Sequence, residues 1–455
     1  MKKLRKIIAL CLVLTSSALL SGCGFKNTAT PYKVKLEVWG VFDDSDAYGS
    51  IFSEYKKANP YVTEINYKKF NVDTYKQDLV EALASGKGPD IFLIRNSWVS
   101  AFQDKIVAAP TTFADERAYR EAFADVVASD FMTSDKKIYG APLSVDSLAL
   151  YYNKDIFTAA GILTPPTTWE EFAREASALT KVDAFGNIQQ SGAAMGTAFN
   201  INRSTDILSA MMLQSGVPFQ SDGNGQGISL RSGERALSFY TQFADSRSSN
   251  YIWNSRQHYS LDAFYEGQAA MMINYSWQYE TLKHKNAKLN IGVAPLPQFA
   301  QGTKSNYANY WGYVVAKNKS FGPEVTDTVT QGKLRTHESW QFLKYLTMPN
   351  GKIFTLRNGL TGTTKDVALA SDPAQTYLTQ TKKPAARRDL IEASRRDLFL
   401  GPFAEGNIVA KNWRQSDPEA VEAIFAEVID SVNRGAATAQ SALGVAQNRV
   451  GYLIR

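Results

Sequence analysis

A run of uninterrupted apolar residues behind a turn signal, Gly88-Pro89-Asp90-Ile91-Phe92-Leu93-Ile94, limits what this chain can become. Four such residues, Ile91 to Ile94, are too few for a buried helix, and a strand with no polar alternation has both faces covered, as in the middle of a parallel sheet. The segments before it agree. Val34, Leu36 and Val38 alternate with Lys33, Lys35 and Glu37, which predicts a strand ending at Trp39-Gly40. Ile51, Phe52 and Tyr55 then mark one helix face, stopped at Asn59-Pro60, and a second strand is expected around Tyr61 to Tyr67. Tyr75, Leu79 and Leu83 mark another helix, closed by Gly86. Alternating β and α units build an open α/β sheet with helices on its faces. Ligands on such sheets sit beyond the carboxyl ends of the strands, here the loops Trp39 to Asp46 and Arg95 to Trp98.

Further on, the chain keeps the same grammar. "LALYYN", Leu148 to Asn153, reads as a strand, and Thr168 with Glu171 three residues later forms a capping box ahead of Trp169, Phe172, Ala173, Ala176 and Leu179. Asp183 to Ile188 is a hairpin turn, and Gln220 to Gly227 is a polar, glycine-rich loop. "QAAMMINYSWQ" reads as an apolar strand or helix end opening onto Tyr275 and Trp277, and strands are expected at "IGVAPLPQF" and "NYANYWGYVVAKN". Ser320 to Glu338 shows no period and reads as a surface excursion, with a helix starting only at Trp340. Asp417-Pro418 opens a last amphipathic helix that Gly435 stops. At 455 residues, two lobes or domains are the natural expectation.

The N-terminus reads as an address. "MKKLRKIIALCLVLTSSALLSGC" has a basic start, an apolar run shorter than the ~17 residues a spanning helix needs, and small residues before Cys23. "LSGC" resembles the lipobox of bacterial lipoproteins, which implies a signal peptide over 1–22, a lipid on Cys23 and a linker over 23–32. The other cysteine, Cys11, lies in the leader, so no disulfide is expected in the exported chain. Four of the six net positive charges, Lys2, Lys3, Arg5 and Lys6, also leave with it, so no nucleic-acid footprint is expected.

Catalytic signatures find little support. There is no G-x-S-x-G elbow, no phosphate-cradling glycine loop, and His258, His284 and His337 lack metal-ligand spacing. No cofactor or metal is expected. What remains is a set of aromatic and short polar residues at predicted strand ends: Trp39, Asp43, Asp44, Arg95, Asn96, Trp98, Asp146, Tyr275, Trp277, Tyr310 and Trp311. A sugar needs hydrogen-bonding partners for its hydroxyls and a flat apolar platform for its C–H faces, and such a mixture supplies both. A tryptophan serves a core equally well; the clustering at strand ends is what favours a site.

"YGAPLSVDSLALYYNKDIFTAAGILTPPTTWEEF", Tyr139 to Phe172, resembles the carbohydrate-binding solute-binding proteins of ABC importers, the family that includes maltose-binding protein. "GPDIFLI", "DAFGNI", "GQAAMMINYSWQ", "IGVAPLPQ", "WGYVVAKN" and "SWQFLKYLT" follow in the family's order. The resemblance implies a type II periplasmic-binding-protein-like fold, two α/β lobes joined by a multi-strand hinge with the ligand cleft between them. The first lobe would hold residues 33–144 and about 312–366, the second 145–311 and about 367–455. It implies Asp146 as a sugar-hydroxyl acceptor and Trp277 as a stacking platform, while Ile94 and Val421 stand where the family's maltose binder carries aromatics. It also implies a monomer that closes on a saccharide, delivers it to membrane permease subunits, and sits lipid-anchored on the extracytoplasmic face. A non-sugar solute on the same fold (a polyol phosphate, peptide or polyamine) and a surface carbohydrate-active enzyme are the alternatives.

Overall fold

The computed structural model describes residues 32–219, 229–317, 319–323, 325–413, 415 and 417–453; the leader with Cys23 and the loop from Gln220 to Gly227 lie outside them. β1 (Val34–Gly40), α1 (Gly49–Ala58), β2 (Val62–Lys69), α2 (Val72–Ala84) and β3 (Ile91–Arg95) follow one another as the periodicity predicts. β1 pairs in parallel with β2 and β3, so β3 lies inside the sheet, and Ile91, Phe92 and Ile94 are fully buried. α1 and α2 lay the expected residues into the core, and Gly86 takes the left-handed φ of +70° that turns the chain out of α2. β4 (Gly140–Ala141) closes the far edge of this sheet.

β5 (Ala149–Asn153) begins a second, antiparallel sheet. Between its strands lie α3 (Trp169–Leu179), held by the predicted Thr168–Glu171 capping box, and α4 (Ser204–Gln214). β6 (Met271–Asn274) and β7 (Ile291–Pro295) flank β5 on either side. β8 (Trp311–Val315) then returns to the first sheet, antiparallel between β3 and β4, giving the order β2-β1-β3-β8-β4. α5 (Thr328–Thr347) covers that sheet, and α6 (Pro418–Asn433) packs in the second half of the molecule.

Two hydrophobic cores result, one per lobe. The first runs from Val34 to Val145 and resumes from Ala308 to Ile391, with Ala404 and Ala410 added near the last crossing; the second runs from Leu148 to Tyr307 and resumes, after Phe403, from Trp413 to Val450. The chain therefore passes between the lobes three times. Neighbouring passes are stitched by backbone bridges, Ser147 to Ala308 and Ser144 to Ala385.

Two expectations need correction. The segment 320–338 is a surface excursion only in its first part, where residues 320–323 and 325–327 are exposed or half-buried and form no helix or strand; α5 starts at Thr328, capped by the Asp327 side chain, and its Arg335 joins Lys319 in pairing with the fully buried Asp90. The switch to the second lobe also comes later than 366. Ala374, Tyr377, Leu378 and Ile391 pack in the first core, because the helix Pro373–Thr381 docks its Tyr377 hydroxyl on Asp43 of the first lobe at 2.7 Å.

Candidate functional site

Between the lobes lies a cavity of about 420 Å³, within the range of small-molecule sites. The loop after β1 delivers Phe42 and Asp43, the end of β3 delivers Arg95 and Trp98, and the start of β8 delivers Trp311. From the second lobe come Ser276 and Trp277 just past β6, and Arg203 at the start of α4. The interlobe segments add Leu143, Asp146 and Lys383.

On the first-lobe side the aromatics meet edge to face: Phe42 with Trp311 at 5.3 Å and Trp98 with Trp311 at 5.0 Å between ring centroids. Opposite them, Trp277 is 39% exposed and stacks on the buried Tyr275 at 4.5 Å. That support is itself fixed: the Tyr275 hydroxyl donates to Asp206 at 2.8 Å, Asn309 donates to the same carboxylate oxygen at 3.4 Å, and Arg95 donates to Asn309 at 3.3 Å. A chain of hydrogen bonds thus links the first lobe's arginine to the platform of the second.

The charged groups divide into committed and free. Asp43 is paired with Lys383 at 2.6 Å and accepts from Tyr377. Asp146, buried at the lobe junction, accepts from the Ser276 backbone N–H at 3.0 Å and from the Ser276 hydroxyl. Burial pushes its carboxyl up to about 7, against the pull of the two Ser276 hydrogen bonds. Arg203 is held in a left-handed conformation, φ +63°, which a non-glycine residue adopts at a cost, with its guanidinium 5.7 Å from the Trp277 ring. Neither Arg95 nor Arg203 forms an ion pair among the described residues, so both keep donors to offer a ligand.

Of the residues read from the sequence, Asp43, Arg95, Trp98, Asp146, Trp277 and Trp311 come together on the cavity wall. Tyr310 reaches it too, but its hydroxyl turns into the first core and donates to Asp130 at 2.9 Å. The other four do not line it. Trp39 projects from the opposite face of β1 and packs on Phe70 at 4.2 Å. Asp44 points to solvent, pairing with Lys69 at 3.0 Å. Asn96 is buried and donates to Asp130 at 2.8 Å, and Tyr275 supports the site from behind. Phe42, Arg203, Ser276, Asn309, Tyr377 and Lys383 were not anticipated. Phe42 lay in the flagged loop, one residue before Asp43; Lys383 and Arg203 carry no local signal.

Residues 50–380 match the family of bacterial extracellular solute-binding proteins. A binding protein of Brucella abortus is 25% identical over 337 residues, 72% of this chain and 76% of that one. The multiple sugar-binding protein of Streptococcus mutans is 25% identical over 308 residues, 65% of this chain and 70% of its own. Among solved structures, the cyclic alpha-maltosyl-1,6-maltose binding protein of Arthrobacter globiformis superposes with a TM-score of 0.71 at 19% identity, covering 92% of this chain and 99% of that chain. The sugar-binding protein MalE of Xanthomonas citri gives 0.68 at 17% identity, covering 92% of this chain and 97% of that chain. These likenesses show the type II fold of the maltose-binding proteins, in agreement with the two cores and the cleft. The family consists of binding proteins that work outside the cytoplasm. By its match over most of its length, this chain belongs to the bacterial extracellular solute-binding proteins.

Proposed function

We propose that the solute is a saccharide, captured between the lobes and handed unchanged to a membrane permease. The observation that carries this reading is the opposition of aromatics, Trp311 backed by the largely buried Trp98 on one wall and Trp277 on the other, with Arg95, Arg203 and Asp146 between them. Stacking platforms take the C–H faces of pyranose rings, and the polar groups take their hydroxyls. Contacts to both lobes stabilise the closed arrangement over the open one by the free energy of those contacts. The sugar-binding relatives support the reading. A thermal-shift screen of the chain lacking residues 1–23 against mono- and oligosaccharides checks it: a cognate sugar at 100 times its dissociation constant adds about 2.7 kcal/mol of stability. A shift with polyamines, peptides or polyol phosphates and none with any saccharide would remove the sugar from the proposal.

The same reading holds the protein to the outer face of the membrane through Cys23, supported by the "LSGC" motif behind a short apolar run. Cys23→Ser should move the protein from the membrane fraction to the aqueous one. Unchanged partitioning, with no diacylglycerol on Cys23 by mass spectrometry, would refute the anchor.

A further inference from the structure

Across the cleft, one carboxylate of the second lobe holds two residues of the first. Glu419, in the first turn of α6, accepts from the Trp98 indole N–H at 3.1 Å through one oxygen and from the Lys76 ammonium of α2 at 3.0 Å through the other. Lys76 in turn lies 5.0 Å over the Trp98 ring. The carboxylate is rigidly presented: Asp417 caps α6 by accepting from Ala420 N–H, Pro418 occupies the first turn, and the helix N-terminus favours a negative charge there. Burial raises the Glu419 carboxyl, but its hydrogen bonds with Lys76 and Trp98 outweigh burial and leave it lowered, so it is an anion at neutral pH.

We propose that Glu419 is a positioning residue that sets the Trp98 indole, and through it the Trp311 ring, from the opposite lobe, so that the first lobe's binding wall is completed only when the lobes meet. The ion pair alone would not do this. Lys76 and Glu419 side chains are 44% and 48% exposed, and such pairs contribute little and are screened by salt. The bond to Trp98 differs, because that residue is 5% exposed and its N–H has no other partner among the described residues. A charged acceptor on a largely buried donor is the stronger interaction. Trp98 also meets Trp311 edge to face, so an indole that turns when Glu419 leaves would disturb the neighbouring platform as well.

The test needs no ligand. The chain has eight tryptophans, so 15N-indole labelling gives a countable set of N–H signals, and Trp98→Phe identifies the one of interest. Glu419→Ala should move the Trp98 signal and raise the radius of gyration in solution scattering. Glu419→Gln, which keeps a neutral acceptor for the indole but loses the ion pair, should restore most of the Trp98 shift. The exchanged pair Lys76→Glu with Glu419→Lys rebuilds the ion pair yet faces the indole N–H with a donor, so it should not. A Trp98 signal identical in wild type and Glu419→Ala overturns the proposal, as does a moved signal with an unchanged scattering profile. Full recovery by the exchanged pair would equally sink it, since the ion pair would then be the whole effect.

Discussion

Trp277→Ala should weaken saccharide binding by roughly 2 to 4 kcal/mol, the scale of an aromatic hot spot, or about 30- to 1,000-fold in Kd. The ring is 39% exposed, rests on Tyr275 and has the Arg203 guanidinium 5.7 Å from its centroid, so it presents a partly open aromatic surface on a rigid support. Removing it deletes the second lobe's only aromatic on the cavity wall among the described residues, leaving a ligand stacked from one side. Stability should change far less than affinity, because the core beneath is closed by Tyr275, whose hydroxyl stays bound to Asp206. Titration calorimetry beside melting curves of the free protein separates the two. A large drop in melting temperature with wild-type affinity would make Trp277 a packing residue.

The second large effect concerns pH. Asp146 is held near pKa 7 by burial, against an unfolded value near 3.8, so the folded state retains a proton that the unfolded chain releases. Stability from this group is complete below about pH 4, falls as pH rises through the folded value, and is flat above it. The loss across that window is at most about 4 kcal/mol, three pKa units at 1.36 kcal/mol each. Asp146→Asn keeps an acceptor for Ser276 and removes the titration. The variant should therefore show a flatter stability profile between about pH 4 and pH 7, and should match or exceed the wild type above it. Denaturant unfolding across the range checks this; parallel slopes for the two proteins would show that Asp146 remains ionised in the fold.

What could be read in advance follows a physical line. Period and punctuation announce elements whose buried face is apolar: "DIFLI", the Thr168–Glu171 cap and the Asp417-Pro418 start all form as expected. The first half of α5 escaped because its buried side is polar. Glu338 is fully buried, accepting from Tyr32 and Asn59, and Arg335 reaches the buried Asp90. Hydrophobic periodicity cannot see a helix face satisfied by hydrogen bonds and ion pairs.

Within the site, strand-end loops pointed to the right regions but not to orientation. Adjacent residues part company there, Asp43 facing the cavity and Asp44 the solvent. Tyr275 and Trp277 are likewise split into support and surface. Lys383 reaches Asp43 from 340 residues away, which no local pattern encodes. Arg203 depends on a backbone conformation that nothing in its neighbours requires.

The strand β8 bears on how the molecule comes into being. It is hydrogen-bonded between β3 and β4, yet the first stretch of the second lobe's core, Leu148 to Tyr307, is synthesised before it. Until Trp311–Val315 arrives, the sheet of the first lobe is in two unjoined pieces, and its remaining cover, down to Ile391, comes later still. Pairings this distant along the chain form slowly, because loop closure must precede any contact that compensates it. A copy truncated before β8 would therefore have no complete first lobe to fold.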